Sequence, residues 1–322
     1  MGFRLRKSFK LAPGVRLNVS KSGFGVSAGV PGARYSVHSS GRRTKSVGLP
    51  GTGMGWVSTS TSSRSTRTRP QKSNAMKPGV FAPKGEKVLY EAVRNEDPAA
   101  LELIAQQHPE QSLVAFTLAG FQAEDHQRAR EMLGWVFDQA TDPSETSFVQ
   151  KYIPQTRARI EVAAGASAEL PLSRDAVGLY LAELHQEAGD LDSAIDIVEQ
   201  LEPTSYAAVS LAELYSRSGR YQDVIDLTEG IDNGDDSTAL LLVFRGVALR
   251  EMGFNESALT CFKEALRFRS RPAAIRHLAL FERSKTYVES GKRAQARKDL
   301  ERILSEDSAF PGVKEALDSL KR

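Results

Sequence analysis

Residues 236–265 read DSTALLLVFRGVALREMGFNESALTCFKEA. Two runs with helical spacing of apolar residues flank Gly253-Phe254-Asn255, which is the pattern of two helices joined by a tight turn. Gly246 stands seven residues before the turn glycine and Ala258 five after it. Both are small, as is required where paired helices approach most closely. Leu249 fills a large position four residues before the glycine, and Phe262 and Ala265 continue the second helix. The apolar run Leu240-Leu241-Leu242-Val243-Phe244 falls far short of the ~20 residues that span a membrane, so it reads as a packed helix.

The same register extends outward in both directions. Gly189-Asp190-Leu191, Gly219-Arg220-Tyr221 and Gly291-Lys292-Arg293 repeat the turn, so that successive glycines lie 30, 34 and 38 residues apart. Small residues recur before them at Ala182, Ala212 and Ser284, and after them at Ala194, Val224 and Ala296. Tyr215 and Tyr287 match Leu249. Over about residues 175–311 the chain is similar to the tetratricopeptide family, whose repeat is ~34 residues long. Pro203 shortens the second helix of the first repeat. The pattern reads as helical throughout from Glu86 onward. Residues 86–165 lack a glycine register but include a degenerate repeat over Phe116 to Phe137, with Ala129 at the small position and Trp135 expected between helices.

The resemblance implies a solenoid whose first helices line a concave groove for a protein or peptide. The family's groove positions carry over to Glu183 and Gln186, then Val209, Glu213 and Ser216, then Val243, Val247 and Arg250, then Phe281, Lys285 and Val288. Such a groove is acidic at one end, apolar in the middle and basic at the other. The Asn and Lys pattern with which some members clamp a C-terminal carboxylate is missing.

Charge is distributed very unevenly along the chain. A net +3 conceals a stretch from Met1 to Gly85 without Asp or Glu but with 16 Lys and Arg, leaving 27 basic against all 40 acidic residues in the remainder. An asymmetry of this size points to an anionic partner, either nucleic acid, lipid headgroups or an acidic protein face, the chain's own acidic part included. The residues expected to meet it are Arg4, Arg6, Lys7, Lys10, Arg16, Arg42, Arg43, Lys45, Arg64, Arg67, Arg69 and Lys72.

Within this basic part, Phe3, Leu5, Phe9 and Leu11 alternate with basic residues, and Val15, Leu17 and Val19 alternate with Arg16, Asn18 and Ser20 across Pro13-Gly14. Period 2 bounded by Pro-Gly predicts a hairpin, and further short strands follow to Val57 between Gly-containing turns. Gly51-Thr52-Gly53-Met54-Gly55 lacks the helix and the Lys-Ser/Thr pair of a phosphate loop, so its glycines serve a turn. MGFRLRKSFKLAPGVRLNVSKSGFGVSAGVPG and VGLPGTGMGW resemble an uncharacterised bacterial domain family that begins MGFRxRKS, continues PGxRxNxSKSG and ends near GxPGTG. The apolar residues make a marginal core, which favours a partner or homo-oligomerisation through this domain. Residues 58–85 are Ser/Thr-rich and basic with few large apolar side chains, the composition of a flexible tether.

The expected fold class is therefore α+β as separate domains: a small all-β N-terminal domain (1–57), a disordered basic linker (58–85), a helical region with degenerate repeats (86–165) and a tetratricopeptide-like α-solenoid (166–322). His38, His108, His126, His185 and His277 are scattered, no metal-ligand spacing or nucleophile elbow occurs, and Cys261 is the single cysteine. No catalytic, cofactor or metal residue is assigned, and the expectation is a non-enzymatic scaffold or adaptor. It binds a protein through the solenoid and is localised by its basic half. Two alternatives are a nucleic-acid-associated binding protein and an enzyme with an unrecognised site in the β domain. With no apolar signal segment and no membrane span, the expected location is cytoplasmic, at the inner membrane face where lipid is the anion.

Overall fold

The computed structural model describes residues 77–163 and 166–321, the side chains at 161–163 and 166–168 excepted, together with the strand backbones within residues 7–61. Those backbones are traced as β1 (Lys7–Ala12), β2 (Val15–Ser20), β3 (Gly23–Val30), β4 (Ala33–His38), β5 (Arg42–Gly48) and β6 (Gly55–Thr61). Helices α1 (Lys84–Asn95) and α2 (Pro98–Gln107) form a first pair, α3 (Ser112–Gln122) and α4 (His126–Phe137) a second. A long connection follows, holding the short helix α5 (Ser147–Tyr152). Four more pairs complete the array up to residue 306: α6 (Arg174–Glu187) with α7 (Leu191–Glu199), α8 (Ser205–Arg217) with α9 (Tyr221–Leu227), α10 (Asp236–Glu251) with α11 (Asn255–Ala265), and α12 (Ala273–Glu289) with α13 (Arg293–Glu306). Helix α14 (Val313–Ser319) closes the C-terminal end.

Each of the last four pairs turns in the same way, for a reason visible in the backbone. Gly189, Gly219, Gly253 and Gly291 all have φ between 74° and 85°, where a side chain would be strained. The residue after each glycine donates its N–H five residues back: Asp190 to His185, Arg220 to Tyr215, Phe254 to Leu249 and Lys292 to Tyr287, at 2.7–3.0 Å. That bond satisfies a helix-end carbonyl and sets the angle at which the second helix leaves. At the N-terminal end of α10, Asp235 and Thr238 form a reciprocal capping box.

The small residues flanking these turns are buried where the helices meet. Ala182, Ala212, Ser284, Ala194, Val224, Ala258 and Ala296 are all buried, and a Cβ on Gly246 would stand 2.7 Å from the Phe262 ring. The buried apolar side chains form three clusters: a large one from α1 to the start of α12, one at α10–α12 around Phe262, and one at α12–α14 around Leu280 and Ile303. Upstream, α1 turns into α2 through Glu96 in the left-handed region, and α3 into α4 through extended Ala123. Neither turn uses glycine, which is why no register is visible there. The long connection is tied down at two points: the Tyr152 hydroxyl donates to Glu86 on α1 at 2.7 Å, and Asp142 accepts from the Arg174 backbone N–H at 2.9 Å.

Two expectations are corrected here. The first is the reading of residues 86–165 as uniformly helical. Strands β7 (Arg157–Ala163) and β8 (Ala166–Pro171) pair antiparallel as a hairpin inside the helical array, with Ala158 opposite Leu170 and Arg159 opposite Glu169. The anticipated boundary between 165 and 166 falls within this hairpin. The second is the fold class, α+β as separate domains with a small all-β N-terminal domain. Among the residues with described side chains the fold is a helical array whose one sheet is the two-stranded hairpin β7–β8. For β1–β6 only the strand backbone is described, and an all-β domain is not shown there. Residues 58–61 of the expected linker belong to strand β6, residues 62–76 lie outside the described residues, and at the linker's end Val80 and Phe81 are exposed before α1 begins.

Candidate functional site: the inner helices of the array

Helices α6, α8, α10 and α12 are the first members of the last four pairs, and α10 packs on both α8 and α12. Of the expected groove residues on them, Val209 and Val243 are fully buried between helices. Glu183 is half-buried on α6. Gln186 donates to Glu213 at 3.1 Å, joining α6 to α8, and the Ser216 hydroxyl donates back to the Ala212 carbonyl at 2.6 Å. Burial holds the Glu213 carboxyl above the usual range, against the opposing pull of Arg217 and the Gln186 bond. Val247 is half-buried against the α10–α12 cluster.

Arg250 is the most heavily engaged of the set. Its guanidinium donates to Glu282 and to Glu251, each at 2.7 Å, and lies 3.5 Å from Glu289. Lys285 adds a second cation to Glu282 at 2.7 Å and stands over the Phe281 ring at 4.6 Å. Phe281 faces Phe310 of the C-terminal segment, with ring centroids 5.6 Å apart. Lys285 and Val288 remain exposed, Val288 at 45%. The structure thus draws Val209, Val243, Arg250 and Phe281 into packing between elements and leaves Lys285 and Val288 at the surface. The basic candidates Arg4, Arg6, Lys7, Lys10, Arg16, Arg42, Arg43, Lys45, Arg64, Arg67, Arg69 and Lys72 lie outside the described side chains.

Sequence reasoning missed a carboxylate centre at the far end of α13. Glu306 accepts from Arg276 at 2.8 Å, faces His277 at 3.1 Å and Arg302 at 3.4 Å, and its carboxyl is drawn down to about 2, chiefly by the Arg276 hydrogen bond. The 30-residue separation of Arg276 and Glu306 hides this cluster from any local motif. Because the folded value lies below the ordinary 4.5, the stabilisation is present above about pH 4.5 and is lost as pH falls toward 2. Glu306→Gln is expected to flatten the acid limb of the melting temperature over that window, and an unchanged limb would show that the cluster contributes nothing to acid stability.

Trp135, expected between helices, is 42% exposed and meets Phe116 edge-on, with centroids 5.2 Å apart. Cys261 is half-buried, and burial pushes its thiol up, away from thiolate reactivity. Among the described residues no group of three or more His, Cys, Asp or Glu is placed to hold a metal ion, and no helix is long and apolar enough to cross a membrane.

The hairpin β7–β8 lies against the first helices of three successive pairs. β7 packs on α6 and α8, and β8 reaches α6 and α10. Ala158 and Ile160 are 0% and 3% exposed, and Leu170 packs on the same core.

Residues 3–57 match a family described as a protein of unknown function (DUF4236). No curated protein matches the sequence. Among solved structures, the N-terminal domain of the EccA1 ATPase from the ESX-1 secretion system of Mycobacterium tuberculosis is similar at 16% identity. That match covers 74% of this chain and 88% of the other, with a TM-score of 0.56. A thermophilic tetratricopeptide repeat protein from Thermus thermophilus matches at 13% identity over 66% of this chain and 98% of its own, with a TM-score of 0.40. At 16% identity the likeness to the EccA1 domain is one of fold. The chain opens with a domain of an uncharacterised family and continues as tetratricopeptide-like helical repeats.

Proposed function

We propose that this protein is a non-enzymatic scaffold that holds a protein partner against the inner helices of its repeat array and is localised through its basic N-terminal part. The observation that carries this reading is the regular stack of helical pairs α6 to α13, a fold suited to protein binding, with Lys285 and Val288 exposed on α12 beside buried, self-satisfied neighbours. Solvent-exposed side chains on an otherwise rigid face are the ones free to meet a partner. A photo-crosslinking residue at Val288, compared with one at exposed Asp196 on α7, tests the reading in the full chain within its host cells. Crosslinks to one defined protein from position 288 and not from 196 are expected. Equal or absent labelling at both positions would count against the inner-face assignment.

The basic half supports the localising role through its 16 cationic residues without one acidic residue up to Gly85. The full chain is expected to bind an anionic polymer or surface with strong salt dependence. Neutralising six to ten phosphates weakens nucleic-acid binding by roughly 10³–10⁵ between 50 and 200 mM salt. Anisotropy with a mixed-sequence oligonucleotide and sedimentation with anionic vesicles read the two anions separately. Salt-sensitive binding to the oligonucleotide alone makes the protein nucleic-acid-associated, and binding to vesicles alone places it at the membrane face. Binding to neither, even at low salt, removes the localising role.

A further inference from the structure

The segment that leads into α1 makes a turn whose apex is apolar. Residues 77–84 read KPGVFAPK. The Ala82 N–H donates to the Gly79 carbonyl at 3.0 Å, closing a β-turn with Val80 and Phe81 at its two central positions. Such positions ordinarily carry Gly, Pro, Asn, Asp or Ser. Here Val80 is 85% exposed and Phe81 wholly so, more than any other large apolar side chain among the described residues. The turn is also held in place. Pro78 and Pro83 restrict the backbone on either side of it, and the Lys87 ammonium of α1 donates to the Val80 carbonyl. The apex is therefore a fixed projection, and its exposure does not come from fraying.

Cations surround this end of α1. Lys77 and Lys84 are exposed on either side of the turn, Lys87 is bonded to its backbone, and Lys151 of α5 stands 4.0 Å from Glu86 in the first turn of α1. The carboxylates nearby are engaged: Glu86 is buried and accepts from the Tyr152 hydroxyl, and Glu110, beside Gly85, faces His108 at 3.4 Å. In the sequence the turn lies at the end of the stretch that holds 16 cations and no acidic residue. Shape and charge together select the partner. A convex apex of one aliphatic and one aromatic side chain offers no groove to a peptide, so it must enter an apolar medium, and the lysines require that medium to have an anionic rim. Single-stranded nucleic acid could stack on Phe81 but offers no apolar medium to Val80. An anionic bilayer meets both conditions, with headgroups against the lysines and the acyl boundary around the apolar pair. We propose that the Val80–Phe81 turn is an insertion element that anchors the chain in an anionic membrane surface. This inference rests on the localising role of the basic part proposed above and fixes lipid as its anion.

The experiment uses the full chain with vesicles of equal parts phosphatidylcholine and phosphatidylserine, and vesicles of phosphatidylcholine alone. Val80→Ser with Phe81→Ser removes the apolar apex and leaves every cation in place. Because both side chains are exposed, the melting temperature should not change. At physiological salt this variant is expected to bind the mixed vesicles more weakly than the intact chain by roughly tenfold or more, the worth of two side chains withdrawn from water. Leu103→Ser, at an exposed apolar position on α2, should bind as the intact chain does. A polarity-sensitive fluorophore on Phe81→Cys, in a Cys261→Ser background, reads insertion directly. Its emission should shift to the blue on the mixed vesicles and not on phosphatidylcholine alone, and the same label on Leu103→Cys should not shift. Equal binding by the serine variant and the intact chain, or no shift at position 81, would overturn the proposal. If the intact chain still binds the mixed vesicles with salt dependence, the localising role of the basic part then stands without the turn. An equal shift on phosphatidylcholine alone would also overturn it, since the lysines would select nothing. So would absence of vesicle binding by the intact chain even at low salt, in which case oligonucleotide binding decides whether the basic part localises the protein at all.

Discussion

Phe262→Ala is expected to destabilise the protein by about 3–5 kcal/mol, the cost of emptying a large, fully buried aromatic site. Phe262 is 0% exposed, and its ring packs directly against the backbone of Gly246 on the preceding helix. The other walls are Leu242, Val243, Ala258, Ala265 and Ala279. Three of these are alanines fixed to helix backbones, so the walls can close on the vacancy only in part. The site also joins α11 to the helices on either side of it, and in a repeat array each unit is held only by its neighbours. The loss should therefore fall on one end of the molecule. Chemical denaturation is expected to split into two transitions, with amide exchange accelerated over α11 to α13 and unchanged over α1 to α4. A single transition shifted by less than about 1 kcal/mol would show that the α10–α12 cluster is not the junction its geometry implies.

Arg250→Ala is expected to cost about 3 kcal/mol, near the lower end of the 3–5 kcal/mol range for breaking a buried ion pair. The Arg250 side chain is 6% exposed and that of Glu282 11%, so neither charge is well solvated. The guanidinium also donates to the Glu282 carbonyl at 3.3 Å, which makes it a clamp from α10 to α12. Removing it leaves Glu282 with Lys285 as the remaining cation, and Lys285 is 45% exposed in its side chain. That half-solvated partner is what holds the loss to the lower figure. Replacing both members, Arg250→Met with Glu282→Leu, removes the orphaned charge and should recover most of the stability. A double-mutant cycle in urea measures the coupling directly. Additive losses in the double variant would mean that the two side chains act through packing and not as a pair.

The turn glycines show how much of this fold can be read locally. Gly189, Gly219, Gly253 and Gly291 each need a positive φ, and small residues must recur at set distances from them, so a one-dimensional pattern suffices to place four helical pairs. The same logic fails where the turn uses another device. Glu96 adopts a left-handed conformation without being glycine, and the α3–α4 turn relies on the Asp125 cap, so the first two pairs carry no register. The hairpin had a local signal that went unused: Arg157-Ala158-Arg159-Ile160 alternates with period 2, and a glycine, Gly165, follows soon after in the sequence. Helical sequence on both sides masked it.

The inner face was less legible for a different reason. The tetratricopeptide resemblance implies that Val209, Val243, Arg250 and Phe281 line one groove with Lys285 and Val288, but a family position cannot say which of these side chains the next helix will cover. That depends on crossing angles, which arise from side chains on two elements together. Likewise, the convergence of Arg276, His277 and Arg302 on Glu306 exists only once α12 and α13 lie side by side. By itself the sequence determined the repeat, its turns and the basic, acid-free N-terminal part, because backbone conformation and charge are properties of single residues and their near neighbours. Only the tertiary structure decided that a hairpin lies on α6, α8 and α10, that Arg250 is clamped between α10 and α12, and which residues stay exposed. Burial and pairing are properties of surfaces that meet across long stretches of chain.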